Sequence, residues 1–151
     1  MNYINSSVID NNSKQNTLKR KIHFSGVGVH NGRAVSMSIE PANVNTGILF
    51  KRIDLQNNNV IKASIDNVVE SSLCTKIKNT YGVSVSTIEH LMAAFSALNI
   101  DNAIVKINSP ELPALDGSSY EYIKKILNTG IKEQNKNKKF FKILKKIEVK
   151  N

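Results

Sequence analysis

The segment that most constrains this fold is residues 86–98, STIEHLMAAFSAL, the most apolar stretch of the chain. Its large apolar side chains recur at helical spacing, which predicts a buried helix with a core-facing stripe. That stripe consists of Ile88, Leu91, Met92, Phe95 and Leu98. Glu89 and His90 stand side by side at the start of the same segment. Because unpaired buried charge is costly, we expect this pair to be ion-paired, hydrogen-bonded or bound to a metal.

Two simpler interpretations of the pair stay open at this stage. Ser86-Thr87-Ile88-Glu89 fits a capping box, in which Glu89 would accept a hydrogen bond from the Ser86 amide. His90, as a lone helical histidine, could simply be packed or exposed. Small side chains on the same side of the helix favour a site, because they let a ligand or another segment approach closely. These small residues are Ala93, Ala94, Ser96 and Ala97.

Composition limits the classes of protein that this chain can belong to. Its 151 residues suit one domain, and a single cysteine, Cys74, rules out an internal disulfide and a cysteine-based zinc cluster. With no secretory signal and no apolar run long enough to cross a bilayer, we expect a cytoplasmic protein with at most peripheral membrane contact. The net charge of +9 comes largely from lysines after residue 131, without a nucleic-acid-binding motif. We therefore predict no nucleic-acid partner.

The pattern of elements predicts an α+β fold. Residues 1–16 are rich in Asn and Ser and are predicted to be a disordered leader. A second helix is expected to follow Ser118, with Ser118 and Glu121 as a capping box and Gly130 as its end. Several strands with two helices predict a two-layer sandwich, one mainly antiparallel sheet with helices packed on one face. The predicted strands are 17–24, 33–40, 47–53, 60–63, 73–78, 102–107 and 139–149.

Metal chemistry is the sharper interpretation of Glu89 and His90. A carboxylate beside a metal-bound imidazole is a pairing that zinc hydrolases use. A catalytic zinc normally takes three protein ligands, and the chain has only three histidines. His23 and His30 are seven residues apart on an extended segment and should point to opposite faces. By ligand count, the chain does not close a zinc site by itself.

Short segments in a specific order resemble those of a known enzyme family. They are Thr17-Leu18-Lys19, Gly26-Val27-Gly28-Val29-His30-Asn31-Gly32, Asn45-Thr46-Gly47-Ile48 with Arg52-Ile53-Asp54, Leu73-Cys74-Thr75, Ser86-Thr87-Ile88-Glu89-His90-Leu91, and Pro110-Glu111-Leu112-Pro113 running into Asp116-Gly117-Ser118. In this order and spacing the chain resembles the N-terminal domain of the UDP-3-O-acyl-N-acetylglucosamine deacetylases, the zinc hydrolases of lipid A biosynthesis.

The resemblance implies roles for individual residues. It implies that His90 is a zinc ligand and that Glu89 is the general base that activates water for attack on the acetamide. His30 and Cys74 match positions that line the substrate-binding region. The implied substrate is UDP-3-O-acyl-N-acetylglucosamine, and the implied products are the free amine and acetate.

The resemblance also implies that part of the site lies outside this chain. The family has two similar α+β domains with the site between them. Its other zinc ligands, its general acid and its acyl-chain passage lie in the second domain. We therefore expect residues 17–134 to be the first domain and residues 135–151 to be a linker and the first strand of a truncated second domain. The chain is then an incomplete, inactive N-terminal half, whose C-terminal half could be a separate chain. The alternative is a non-catalytic binding module, in which Glu89 is a helix cap and His90 a packed residue.

Overall fold

The computed structural model describes residues 13–139, 145 and 147–149. Within these residues, a short 3-10 turn at Ile65–Asn67 accompanies two helices, α1 (Glu89–Ala97) and α2 (Tyr120–Thr129). The strands are β1 (Lys14–Leu18), β2 (Ile22–Val27), β3 (Ala34–Pro41), β4 (Ile48–Arg52), β5 (Val60–Lys62), β6 (Val68–Val69), β7 (Lys76–Lys78), β8 (Ser84–Ser86), β9 (Ala103–Ile107) and β10 (Ile131–Asn137).

A five-stranded sheet in the order β2-β3-β9-β4-β5 forms the main layer. Its neighbours are antiparallel except for β4 and β9, which run parallel. Two smaller sheets accompany it, β6-β7-β8 and the pair β1-β10. The predicted α+β class, with a mainly antiparallel sheet, is confirmed.

One core joins the inner face of the main sheet to the two helices. Alternate residues of the strands point into this core, as the period of two along a strand requires. Tyr122 of α2 packs against Phe24 of β2, with ring centroids 5.0 Å apart. From α1, Leu91 and Phe95 are buried in the same core. Burying a side chain of this size contributes about 1.5–3 kcal/mol, so this face of α1 anchors the Glu89–His90 end of the helix.

Several strand predictions need correction. The predicted strand 17–24 is two strands, because the chain turns between Leu18 and Ile22, and the first of them begins at Lys14. The predicted strand 73–78 is only β7, since Leu73 has a φ of +59° that no strand residue adopts. Leu73 is also 92% exposed rather than facing the core.

Neither the capping box left open at Ser86–Glu89 nor the one predicted at Ser118–Glu121 forms. α1 begins at Glu89 itself, its N-cap is Ile88, and the N-cap makes no side-chain hydrogen bond. α2 likewise has Ser119 as an N-cap without a side-chain bond, although the Ser118 hydroxyl accepts a hydrogen bond from the Tyr120 amide. The predicted end of α2 at Gly130 is confirmed, with a φ of +89° that suits glycine.

The last described strand, β10, pairs with the first, β1. β10 pairs with β1 in an antiparallel ladder from Leu18 and Ile131 to Lys14 and Asn137. The predicted strand 139–149 falls largely outside the described residues, and residues 147–149 have no regular structure. The predicted leader lies mostly outside them as well. The predicted domain boundary after residue 134 stays a prediction. In the structure, β10 runs across this position and continues to Asn137.

Candidate active site

The start of α1 holds Glu89 in a defined orientation. β8 ends at Ser86, and the helix begins three residues later, at Glu89. The Glu89 carboxylate accepts a hydrogen bond from the Thr75 amide at its Oε2, 2.9 Å away. The acid therefore bonds a loop outside its own helix, where it is half-buried rather than turned back onto the helix end.

The loop that meets Glu89 carries Cys74. The Cys74 Sγ lies 3.0 Å from the Ser71 hydroxyl, and the thiol is half-buried. The Ile88 amide donates to the carbonyl oxygen of Thr75 at 3.4 Å, so Thr75 contacts the helix start through both of its backbone groups. Cys74 therefore directly precedes Thr75, whose amide nitrogen donates to Glu89.

The turn between β2 and β3 carries His30. The His30 amide donates to Glu111 Oε1 at 2.8 Å, and the Asn31 amide donates to Glu111 Oε2 at 3.0 Å. The turn also packs on the segment after Glu111, where the Ala114 amide donates to the Val27 carbonyl at 2.9 Å. His30 itself is exposed, with its backbone fixed and its imidazole turned to solvent.

The segment that holds the His30 turn also holds the entrance to α1. Ser86 and Glu111 form a parallel β-bridge. The Ser86 amide donates to the Pro110 carbonyl at 2.9 Å, and the Leu112 amide donates to the Ser86 carbonyl at 3.2 Å. The His30 turn and the start of α1 therefore both contact the segment around Glu111.

Asp116 lies near His90. Its carboxylate accepts hydrogen bonds from the Ser118 amide at 3.0 Å and the Ser118 hydroxyl at 2.9 Å. These bonds are the largest cause that lowers the pKa of Asp116 below its ordinary value, and the His90 imidazole lowers it further by a smaller electrostatic effect. Asp116, in the segment before α2, therefore lies close enough to His90 for the two side chains to interact electrostatically.

Backbone strain is concentrated in the three segments that carry Cys74, Glu89 and Asp116. In the described part of the chain, six non-glycine residues have a positive φ. Half of them are asparagines, which tolerate this conformation, at positions 45, 58 and 99. The other three are Leu73, Thr87 and Leu115, each of which lies within two residues of Cys74, Glu89 or Asp116. Strained residues of this kind cluster at functional sites, where the surrounding structure enforces them.

The structure therefore brings the four predicted site residues to one end of α1. Glu89 and His90 begin the helix, Cys74 precedes the residue that Glu89 binds, and His30 is held by the segment that pairs with β8. His23 lies apart on the outer face of β2, where its carbonyl accepts a bond from Lys125. Glu111 and Asp116 lie in segments that carry the family resemblance, but neither residue was predicted to have a role. The sequence feature that could have pointed to them is a carboxylate in, or just after, the irregular segment between Pro110 and Pro113.

The described residues do not form a complete metal site. Among the described residues, no group of three or more His, Cys, Asp or Glu side chains could hold a metal ion. The donor set here is the His90 imidazole, with the Glu89 and Asp116 carboxylates nearby. An imidazole nitrogen next to carboxylate oxygens suits zinc, which takes nitrogen and oxygen ligands. The donor types fit zinc, and a zinc ion bound here would need further ligands.

Comparison with known proteins gives a consistent result along the chain. A family model described as "UDP-3-O-acyl N-acetylglycosamine deacetylase" matches residues 15–151. A UDP-3-O-acyl-N-acetylglucosamine deacetylase of Tolumonas auensis is 46% identical over 136 residues, which are 90% of this chain and 44% of the relative. Relatives of the same name are 46% identical in Pseudoalteromonas atlantica and 43% identical in Francisella tularensis, with 45% and 48% of their lengths covered.

The chain thus spans about half the length of the curated relatives that it matches. In the described residues, neither helix is long and apolar enough to cross a membrane.

Proposed function

The chain belongs to the UDP-3-O-acyl N-acetylglycosamine deacetylase family, and from that premise we propose that it forms the N-terminal half of a zinc-dependent amide hydrolase. Its substrate is UDP-3-O-acyl-N-acetylglucosamine, which loses its N-acetyl group in lipid A biosynthesis. We place the enzyme in the cytoplasm, without a nucleic-acid partner and with at most peripheral membrane contact. Residues 17–134 form its first domain, and residues 135–151 lead into a second.

The observation that carries this proposal is the orientation of Glu89 next to His90. The Thr75 amide holds Oε2 of the carboxylate, and within the described residues no hydrogen bond engages Oε1. A general base needs one oxygen fixed and the other within reach of the proton that it takes. This arrangement argues against the alternative of a non-catalytic module with Glu89 as a helix cap, because the N-cap of α1 has no side-chain bond.

Each residue has a distinct role in the proposed hydrolysis. Glu89 takes a proton from the attacking water as the water oxygen bonds to the acetamide carbon. The C–N bond then breaks, giving acetate and an amine that must receive a proton. Zinc, when bound, supplies a Lewis acid that polarises the carbonyl and favours ionisation of water. His90 is the ligand that this chain offers to it, and the remaining ligands come from the second domain.

His30 and Cys74 are proposed to contact the substrate. Cys74 precedes Thr75, whose amide binds Glu89, and His30 lies in the turn that binds Glu111, to which the Thr87 hydroxyl also donates. An exposed imidazole can donate or accept a hydrogen bond to a polar group of the substrate. The half-buried Cys74 thiol offers a small, weakly polar surface beside Glu89.

The first experiment tests the chain alone. We expect purified 1–151 to bind zinc only weakly in a calorimetric titration and to show no turnover of the substrate, because one imidazole does not make a three-ligand site. Stoichiometric, tight zinc binding together with turnover by 1–151 would contradict the proposal that this chain is half of a site.

The second experiment restores the missing half. In what we call the chimera, residues 15–151 replace the matching part of the Tolumonas auensis relative. We expect the chimera to deacetylate the substrate, and both Glu89→Gln and His90→Ala to lower kcat by about 10²–10⁴-fold. A folded chimera whose activity is unaffected by Glu89→Gln would overturn the role of Glu89.

A further inference from the structure

Glu111 is a buried carboxylate that the proposed chemistry does not use. The residue is 2% exposed, yet its two oxygens accept three hydrogen bonds. Two come from the backbone amides of His30 and Asn31, and the third comes from the Thr87 hydroxyl at 3.2 Å. Burying an ionised carboxylate is costly unless such donors satisfy it, so this cluster of donors accounts for the burial of Glu111.

The three donors come from two segments that are distant in sequence. His30 and Asn31 belong to the turn after β2, about 80 residues before Glu111. Thr87 lies between β8 and α1, two positions before Glu89. One carboxylate therefore bonds the turn that carries His30 and the residue that leads into the Glu89–His90 helix. Among the described residues, no hydrogen bond links these two segments directly to each other.

Thr87 is held in a conformation that it would not adopt by itself. Its φ is +57°, in the left-handed region that β-branched residues avoid. Such a residue costs of order 1–3 kcal/mol and persists only where its surroundings enforce it. The hydroxyl bond to Glu111 is one of the contacts that enforce it, and the β-bridge of Ser86 with Glu111 is another.

Gly28 shows how closely the turn approaches the carboxylate. A Cβ placed on Gly28 would lie 2.5 Å from Glu111 Oε2 and 2.6 Å from Asn31 Oδ1. Only glycine lets the backbone come this near without displacing either group. The Gly28 amide and carbonyl also close the turn, through bonds of 3.0 Å to Arg33 and 3.1 Å to Gly32.

We infer that Glu111 is a positioning residue, which fixes the His30 turn relative to Thr87 and so sets where His30 stands with respect to Glu89 and His90. The inference rests on the proposed function of those three residues. Glu111 does not touch the reacting atoms, because its oxygens are occupied by the two amides and the hydroxyl. Its effect passes through the backbone of His30 and through the entrance to α1.

The first test uses NMR on the chain itself. We expect Glu111→Gln to move the backbone amide signals of His30 and Asn31 and the imidazole signals of His30 and His90, and to speed hydrogen exchange from Gly28 to Asn31. Amide signals of the main sheet should stay in place. Thr87→Val, which removes only the hydroxyl, should move the signals of Glu89 and His90, whereas Thr87→Ser, which keeps it, should move them less.

A matched control separates positioning from general stability. Thr17 is also buried, and its hydroxyl donates to the Asn102 carbonyl at 2.6 Å and accepts from the Ala42 amide at 3.0 Å. Thr17→Val should lower the melting temperature without moving the signals of His30, Glu89 or His90. If Glu111→Gln behaves like Thr17→Val in both measurements, Glu111 is only a structural residue and the inference is wrong.

The chimera gives the second readout. We expect Glu111→Gln to lower kcat by about 10- to 100-fold, because small displacements of catalytic groups have effects of this size, and Thr17→Val to leave it unchanged. If Glu89→Gln abolishes turnover but Glu111→Gln and Thr87→Val do not lower it, positioning by Glu111 fails while the proposed function stands. If Glu89→Gln has no effect, the proposed function itself fails, and the NMR outcome alone then decides whether Glu111 fixes the turn.

Discussion

At the scale of single residues, Glu89 can be removed as a base with little loss of stability. It makes no cap bond, and its contact is the hydrogen bond that it accepts from the Thr75 amide. We expect Glu89→Gln to lower the free energy of unfolding by roughly 0.5 kcal/mol, because the Gln carbonyl still accepts that bond and only the favourable charge at the helix N-terminus is lost. Urea denaturation of the chain measures this.

The matched control for Glu89 lies in the other helix. Glu121 is an acid in the first turn of α2 and forms a 4.0 Å ion pair with Lys124. Glu121→Gln should cost a similarly small amount of stability. In the chimera it should leave turnover unchanged, whereas Glu89→Gln should lower kcat by about 10²–10⁴-fold. A loss near 2 kcal/mol for Glu89→Gln, the upper range for a lost cap, would speak for the capping role instead.

Asp116 gives a prediction about pH. The Ser118 hydroxyl and amide, and then His90, lower the pKa of the Asp116 carboxyl in the folded chain. A lowered pKa stabilises the fold above the unfolded value of about 3.9, and this contribution is lost as the pH falls through the folded value. Carboxyl NMR titration should therefore find the midpoint of Asp116 below its ordinary value.

Ser118→Ala tests the cause of that shift. Removing the hydroxyl takes away the largest lowering contribution, so the midpoint of Asp116 should move upward toward its ordinary value. Ser109→Ala is the comparison variant. It also removes a serine hydroxyl that accepts a hydrogen bond from a backbone amide, but this amide belongs to Glu111 rather than to the Asp116 segment. An unchanged Asp116 midpoint in Ser118→Ala would show that this bond does not form in solution.

The chemistry of Glu89 and His90 could be predicted from the sequence because the two residues are neighbours in it. An acid and an imidazole within an apolar helical pattern need an explanation whatever the rest of the chain does. Glu111 could not be predicted in the same way, because its three donors come from residues 30, 31 and 87. Nothing local in Pro110-Glu111-Leu112-Pro113 shows that a turn far away in the sequence closes on it.

At the scale of elements, the loop before β7 carries strain that can be relieved. Leu73 has a φ of +59° and is 92% exposed, so its side chain has no burial that offsets the left-handed backbone. We expect Leu73→Asn to raise the free energy of unfolding by about 0.5–1 kcal/mol, because asparagine tolerates this conformation better. Urea denaturation measures the gain.

The reverse substitution is the control for Leu73. Asn58 has a φ of +52°, is exposed and lies in the loop between β4 and β5, away from the candidate site. Asn58→Leu should lower the free energy of unfolding by about 1 kcal/mol. If Leu73→Asn is neutral or destabilising while Asn58→Leu behaves as expected, the Leu73 side chain contributes more to the folded state than its exposure indicates.

Elements with a strong hydrophobic period could be predicted, whereas those fixed by partners could not. β3, β4 and β9 alternate clearly and lie close to their predicted positions. β10, with the sequence IKEQNKN, has almost no apolar pattern, and it is a strand because β1 pairs with it. The predicted helix starts were misplaced because a capping pattern shows only what the local sequence allows. The backbone conformation at Thr87 and Ser119 depends instead on the segments around them.

At the scale of the whole molecule, one buried amide links four strands. Asn102 is 1% exposed and precedes β9, and its carbonyl accepts from the Gly47 amide before β4 at 2.8 Å. Its NH2 group donates to Gln15 of β1 at 2.9 Å and to Gln134 of β10 at 2.7 Å. Gln15 extends the network to Asn45, and Gln134 extends it to the Ala42 carbonyl.

Asn102→Ala should therefore be strongly destabilising. It leaves the Gly47 amide and the Gln134 side-chain carbonyl without the partner that Asn102 provides, and it removes one of the two donors to the Gln15 carbonyl. We expect this loss to cost about 3 kcal/mol. The control is Asn108→Ala, since that exposed side chain accepts only the Ser36 amide at 2.8 Å. Its loss should stay below about 1 kcal/mol. Equal midpoints of urea denaturation for the two variants would show that the Asn102 network does not hold the strands together.

The two-layer class could be predicted for the whole molecule because it depends on the count and type of elements rather than on their bounds. The polar network could not, because Gln15, Asn45, Asn102 and Gln134 look like ordinary surface residues in the sequence. Their partners become apparent only once β1 and β10 lie side by side. The same holds for the candidate site, whose four residues come from three separate segments of the chain, around His30, Cys74 and Glu89–His90.

The pairing of β1 with β10 has a consequence for how this protein is made. A ribosome that synthesises the chain releases β1 first and completes β10 only more than a hundred residues later. Joining two strands across a span of that length carries a loop-closure entropy that the intervening folded segments must first reduce. We therefore expect the nascent chain to assemble its central sheet and helices while Lys14–Leu18 waits unpaired, and to close this ladder last, after residue 137 has emerged.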